Sequence, residues 1–210
     1  MNICKESLKN MDERYRVNLI NSLTGFKSAS LIGTSDLDKK TNLAIMSSVV
    51  HLGASPSLIG LIIRPSSVPR HTYENIKNTK FFSVNHIHAD FIDKAHQTSA
   101  RYDKEQSEFS ECNLEEFYTS YSSPYVKESH IKYMCEFREE IPIVINNTIL
   151  IIGEIVEILM PDEVIGHDGF IDLEMAGTIT CSGLDRYHST NHLARFSYAK
   201  PNRWPEKVTF

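Results

Sequence analysis

"SASLIGTSDLDKKTNLAIMSSVVHLGASPSLIGLIIR", residues 28–64, decides the fold. It holds three short apolar runs, 28–34, 42–50 and 58–64, partly β-branched as strands prefer. Turn chemistry separates them: Ser-Asp-Leu-Asp-Lys-Lys-Thr after the first, Gly-Ala-Ser-Pro-Ser after the second. A fourth run, "FFSVNHI" at 81–87, has the same character. "HIKYMCEFRE" (130–139) sets Ile131, Tyr133, Cys135 and Phe137 on one face, the period-two pattern of a half-buried strand. "NNTILIIGEIVEILM" (146–160) is the longest strand candidate. Its Asn-Asn start suits a hairpin turn, and Gly153 in mid-run suggests a bulge or a close backbone approach. Helices are few. One is expected from Thr72, read as its N-cap, through 73–79; a second over 90–99; a third over 113–121, with Asn113 as cap. Many short strands with few helices argue a barrel or sandwich and not a βαβ sheet.

The 210 residues suit one domain, taken as 21–210, behind a polar and charged N-terminal arm over 1–20. A net charge of −5 does not suggest general nucleic-acid binding, so any positive site must be local. Cys4, Cys112, Cys135 and Cys181 form no C-x-x-C pair, which fits a reducing cytoplasm better than a disulfide framework or a zinc cluster. The first 18 residues contain no apolar signal-peptide core, and the longest apolar runs fall far short of a membrane span. G-x-G-x-x-G and Walker A motifs are both absent.

Three stretches could carry chemistry. In "RPSSVPRHTYENI" (64–76), Arg64 closes a strand, Pro65 and Pro69 stiffen a turn, and Arg70, His71 and Thr72 lead into a helix. Guanidinium, hydroxyl and free backbone N–H groups together make a phosphate site. A capped helix with solvated arginines would read the same way. In "NLAIMSSV" (42–49), Ala44, Ser47 and Ser48 are small where a strand should be bulky. They suit either a flat ligand lying against the backbone or an ordinary edge strand. His96, Gln97, Thr98 and Ser99 cluster at a helix end, where a polar last turn is the plainer account. His86 and His88 form an H-x-H, but spacing supplies no third ligand, so no metal is assigned. No G-x-S-x-G or activated cysteine appears, which points to a borrowed cofactor.

In this order the features resemble the flavin reductase-like family of FMN-binding split β-barrels, over about residues 20–200. "TGFKSASLIGTSDLDKKTNLAIMSSVVHLGASP" is similar to that family's opening, with a strand that holds the flavin ring. "LIGLIIRPSSVPRHTYENIKNTKFFSVNHI" resembles its phosphate-binding turn and Thr-x-x-Asn-Ile helix. "INNTILIIGEIVEIL" matches its penultimate strand at Gly153-Glu154, and "SGLDRYH…RFSYAKP" resembles the flavoredoxin-like tail. The resemblance implies a mainly β, Greek-key split barrel with flanking helices. It implies a homodimer binding FMN, acting as an NAD(P)H-dependent flavin reductase that serves a partner oxygenase or another electron acceptor. The alternative is a flavoredoxin-like FMN electron carrier without direct NAD(P)H use. By resemblance Asn42, Ala44, Met46, Ser47, Ser48 and Val49 line the ring, and Arg64, Arg70, His71 and Thr72 hold the phosphate. Asn85, Gln97, Thr98 and Ser99 contact the ribityl chain or phosphate, and Tyr187 or His188 approaches the nicotinamide. Two positions depart from the pattern: Ser55-Pro56 replaces a Pro-Pro, and Asn147 replaces the His of Gly-Asp-His-Thr.

Overall fold

Two short helices, α1 (Lys5–Asn10) and α2 (Glu13–Leu23), precede the strands in the computed structural model, which describes residues 1–65 and 70–208. Asp12 caps α2 by accepting the Tyr15 N–H at 2.9 Å, and neither helix buries a residue. Next come β1 (Lys27–Ser28), β2 (Ser30–Ser35), β3 (Thr41–Met46), β4 (Val49–Ala54) and β5 (Ser57–Ile63). The run expected as one strand over 42–50 is therefore two strands broken at Ser47-Ser48. Helix α3 (His71–Thr79) leads to β6 (Phe81–His86). The helix expected over 90–99 is a 3-10 turn followed by α4 (Ile92–Gln97).

The helix expected over 113–121 does not form. A short helix, α5 (Glu108–Glu111), ends there instead. Asn113 takes a left-handed φ of 53°, and the Leu114 and Asn113 N–H groups return to the carbonyls of Phe109 and Ser110. Asn tolerates that conformation, so Asn113 stops a helix where it was expected to start one. Residues Glu116–Phe117 (β7) then pair with Tyr125–Val126 (β8). The long hairpin β9 (Lys132–Ile143) and β10 (Thr148–Leu159) follows, with Asn147 at φ 57° in its turn. Short strands β11 (Thr180–Ser182), β12 (Arg186–His188), β13 (Arg195–Phe196) and β14 (Lys207–Val208) complete the chain.

The main sheet is antiparallel with the order β3-β2-β6-β9-β10-β5-β4. Its two outermost strands, β3 and β4, are joined by only Ser47 and Ser48. In a flat sheet they would lie about 29 Å apart, six strand spacings. The link from Met46 to Val49 reaches at most about 11 Å. The sheet must therefore curl until its edges meet. Since β3 and β4 do not pair with each other, the result is a split barrel.

Ile32, Leu61, Phe82, Val84, Cys135 and Ile151 fill the barrel, and Ile76 of α3 plugs one end. Gly153 is required there. A Cβ on it would stand 2.6 Å from the Phe82 ring, and the β9–β10 register shifts beside it. Strand β2 is buried on both faces. Its outer face, with Leu31, meets Leu43 of β3 and is covered by Phe91, Ala95 of α4 and Phe109 of α5.

Candidate functional site

The short link that closes the barrel also builds the candidate site. The Ser47-Ser48 corner lies outside both strand ladders. The Ser48 hydroxyl donates to the Ile62 carbonyl at 3.0 Å and so fastens the corner to β5. The Ser47 hydroxyl is half-buried and has no partner among the described residues. Met46 and Val49 pack against the barrel interior, so of these two only backbone groups can face a ligand. Ala44 is half-buried on β3.

The edge of β3 is capped by side chains from elsewhere in the chain. Glu108 accepts the Leu43 N–H at 2.8 Å, and Thr98 accepts the Ile45 N–H at 3.0 Å. Thr98 also donates to the Ala95 carbonyl at 2.8 Å, which ties the strand to the end of α4. Burial raises the Glu108 carboxyl above its ordinary pKa. No residue type or spacing around Glu108 marks it in the sequence, because its partner is a peptide group 65 positions away.

Helix α3 starts beside this edge. Arg70 is its N-cap, and no side chain caps it. The reading of Thr72 as cap is therefore corrected: Thr72 is buried within the first turn and accepts from Asn42 Nδ2 at 3.0 Å. Asn75 similarly donates to the Thr34 hydroxyl at 3.1 Å. Arg70 Nε donates to the Pro65 carbonyl at 3.3 Å. Arg64 is exposed, and neither Arg64 nor His71 has a hydrogen-bond or ion-pair partner among the described residues. A cleft lined by Asp36, Lys40, Asn42, His71, Asn75 and Lys104 continues from this helix start, so it carries one carboxylate beside its two lysines. Pro69, expected to stiffen the turn, lies outside the described residues.

Three expected residues stand differently. Asn85 has no exposed surface. Its Nδ2 donates to the Leu31 carbonyl and Ser83 hydroxyl, and its Oδ1 accepts the Val126 N–H at 2.9 Å. With its hydrogen bonds spent across strands, it holds the fold together and does not reach the site. Tyr187 and His188 are neighbours on β12, so their side chains leave opposite faces. The Tyr187 hydroxyl meets His96 Nδ1 at 2.7 Å, beside the exposed Gln97 and Ser99. Gln97 in turn donates to the Tyr102 hydroxyl at 3.0 Å. Burial pushes the Tyr187 phenol up to about 12. His188 turns instead to Ser182 at 2.8 Å and the edge of Phe26.

The histidines of the H-x-H do not converge. His86 contacts Thr178 and Tyr133, while His88 stacks on His130 with ring centroids 4.4 Å apart.

The chain matches the flavin reductase like domain over residues 23–171. It is similar to a solved split-barrel protein from Shewanella frigidimarina assigned as a flavin reductase. The two share 48% identity and a TM-score of 0.92, covering 95% of this chain and 100% of that one. Nitrilotriacetate monooxygenase component B from Bacillus cereus shares the fold at 19% identity and a TM-score of 0.81, covering 93% and 98%. Flavoredoxin of Desulfovibrio vulgaris (Miyazaki F) does so at 17% identity and 0.70, covering 84% and 91%. No curated protein sequence matches.

Proposed function

The chain belongs to the flavin reductase-like family, and from that premise we propose that it binds FMN and acts as an NAD(P)H:flavin oxidoreductase. One observation carries the FMN reading. Helix α3 begins with no side-chain cap, beside Arg64 and Arg70, which have no carboxylate partner among the described residues, while His71 in its first turn interacts with the Glu108 carboxylate. An uncapped helix start carries partial positive charge, and adding cations to it is unfavourable unless an anion sits between them. A phosphate monoester suits that site.

The neighbouring corner suits the rest of the cofactor. Ala44 leaves room for a flat ring, and the peptide groups of Ser47-Ser48 and the Ser47 hydroxyl remain to bond its polar edge. Leu43 and Ile45 cannot serve through their N–H groups, which Glu108 and Thr98 already occupy. These caps hold the strand rigid beneath the ring, and the exposed Gln97 and Ser99 border it for the ribityl chain, whereas the buried Thr98 hydroxyl is spent as a cap. Tyr187 is the better placed of the two β12 residues to border the nicotinamide. Bound FMN would supply the redox chemistry by accepting a hydride from NAD(P)H. The protein's share is binding, orientation and electrostatics.

We also propose a homodimer. On the outer sheet face, Val50 and Leu52 of β4, Ile141 of β9 and Leu150 and Ile152 of β10 make an apolar surface around Gly60 of β5, and the first three are exposed. A second copy is the natural cover for such a face. The 21–210 stretch is taken as one domain. The four free cysteines suit a reducing cytoplasm, and no described helix is long and apolar enough to cross a membrane.

The test is an absorbance spectrum followed by anaerobic stopped-flow mixing with NADH and with NADPH. A flavin spectrum that bleaches with either donor is expected. A flavin that bleaches with neither, but does so with reduced ferredoxin, makes the protein a flavoredoxin-like carrier. Asn147 favours that second reading, because it replaces the family's His and serves here as the left-handed turn residue of the β9–β10 hairpin. A colourless protein that takes up no FMN overturns both. The electron acceptor, whether a partner oxygenase or another protein, would receive reduced flavin or its electrons.

A further inference from the structure

The C-terminal tail, residues 189–208, contains no buried residue, yet it is folded. Strands β13 and β14 pair, Arg203 bonds Glu206 at 2.6 Å, and the Lys200–Arg203 bridge closes the turn between them. At its root Arg195 bonds Asp168 at 2.6 Å and lies 4.2 Å from the Phe170 ring centroid. This ordered hairpin presents large apolar groups to water: Leu193 is 94% exposed, Tyr198 90% and Trp204 91%. Ordering a segment costs conformational entropy, and apolar burial is what usually offsets it. Within one copy that burial is missing.

Charge narrows the choice of cover. Residues 189–210 hold four Lys or Arg against one Glu, a net of +3, so residues 1–188 carry −8 of the chain's −5. A basic, aromatic tail on an acidic body is complementary to a second copy of the same body. Area fits as well. Tyr198 and Trp204 together offer roughly 400 Å² per tail, from 150–250 Å² for each aromatic. Two tails and the surface they cover then bury on the order of 1,600 Å², the size of a standard specific interface.

We propose that this tail is exchanged between two copies of the chain, each laying Tyr198 and Trp204 on the body of the other. The proposal rests on the dimer reading above and adds where its affinity lies. Isologous symmetry makes the exchange reciprocal, so each contact forms twice.

Trp204 is the only tryptophan in the chain, which makes it a direct reporter. Light scattering and tryptophan emission are followed together through a dilution series of the full chain, without flavin. The dimer is expected to show blue-shifted emission that moves red as it dissociates. Tyr198→Ala keeps the reporter and should raise the dimer dissociation constant by about tenfold or more, and added salt should weaken it further. Neither side chain has a packing role within one copy, so the variant's melting curve should be unchanged at monomer concentrations. A dimer whose Trp204 emission is that of a fully hydrated indole overturns the exchange and leaves the dimer standing, as for a tail reserved for another protein or a nucleic acid. So does an unchanged dissociation constant in Tyr198→Ala. A monomer at every concentration overturns both, whereas FMN uptake by the same samples is judged separately.

Discussion

Replacing Arg64 or Arg70 by Ala should weaken FMN far more than riboflavin, which lacks the phosphate. A charge-assisted hydrogen bond to a phosphate contributes about 1.5–3 kcal/mol. Its loss therefore raises the FMN dissociation constant roughly 10- to 150-fold. Arg64 is exposed and should fall at the lower end. It has no partner among the described residues, so its removal should change stability by less than about 0.5 kcal/mol. Arg70 also gives up its bond to the Pro65 carbonyl, at a cost of about 1 kcal/mol. The assay is quenching of flavin fluorescence on titration with apoprotein, for both ligands and all three proteins, at two salt concentrations. The ratio of riboflavin to FMN dissociation constants should collapse towards one in the variants, and its salt dependence should shrink with it. Equal weakening of both ligands would refute the reasoning, because the arginines would then act through the fold. So would an FMN affinity within twofold of the parent in both variants, leaving them solvated surface groups.

Glu108 should show opposite responses to two substitutions. Glu108→Ala leaves the Leu43 N–H without a partner and should cost about 1–3 kcal/mol in urea unfolding. Glu108→Gln can keep that acceptor and removes the charge. The folded-state pKa of Glu108 is raised, so its charged form is disfavoured by folding and its stabilising protonated form is lost as pH rises. Glu108→Gln should therefore gain on the parent at pH 7–8 and lose that gain at pH 4. An equal effect at both pH values would sink this account. His86 works the other way. Burial lowers its pKa to about 4, so the folded state resists the proton and stability falls as pH drops from about 6.5 to 4. The full loss is on the order of 3 kcal/mol, and His86→Gln should flatten that part of the urea-midpoint profile. Gly153→Ala drives a Cβ into Phe82 and Cys135, and a melting curve should register a loss of about 1–3 kcal/mol or more.

What was legible in the sequence was local. The Asn146-Asn147 turn, the close approach at Gly153, the strand ending at Ile63 and the helix over His71–Thr79 each follow from a few neighbouring residues. What was hidden depends on partners distant in the chain. Asn85 reads as a polar strand end suited to a ligand. Leu31 and Val126, 54 and 41 positions away, take its amide and make it a structural residue. The break at Ser47-Ser48 hides within an apolar run, because its cause is the closure of the whole sheet. Helix α2 has no buried face, and its turn-by-turn pattern gave little to read.

That division has a functional consequence. The cations that suit a phosphate lie together in the sequence and could be found there. The rigidity that a flat ring requires comes from Glu108 and Thr98, which stop the β3 edge from pairing elsewhere or fraying. Their role is set by geometry alone. A chain that kept every residue from Asn42 to Val49 proposed to line the ring but lost these two caps should therefore retain its phosphate affinity and lose its discrimination for the ring. In the flavin titration, Thr98→Val should weaken riboflavin and FMN by the same factor, the reverse of the arginine signature. If Thr98→Val instead spares riboflavin, the caps do not support the ring.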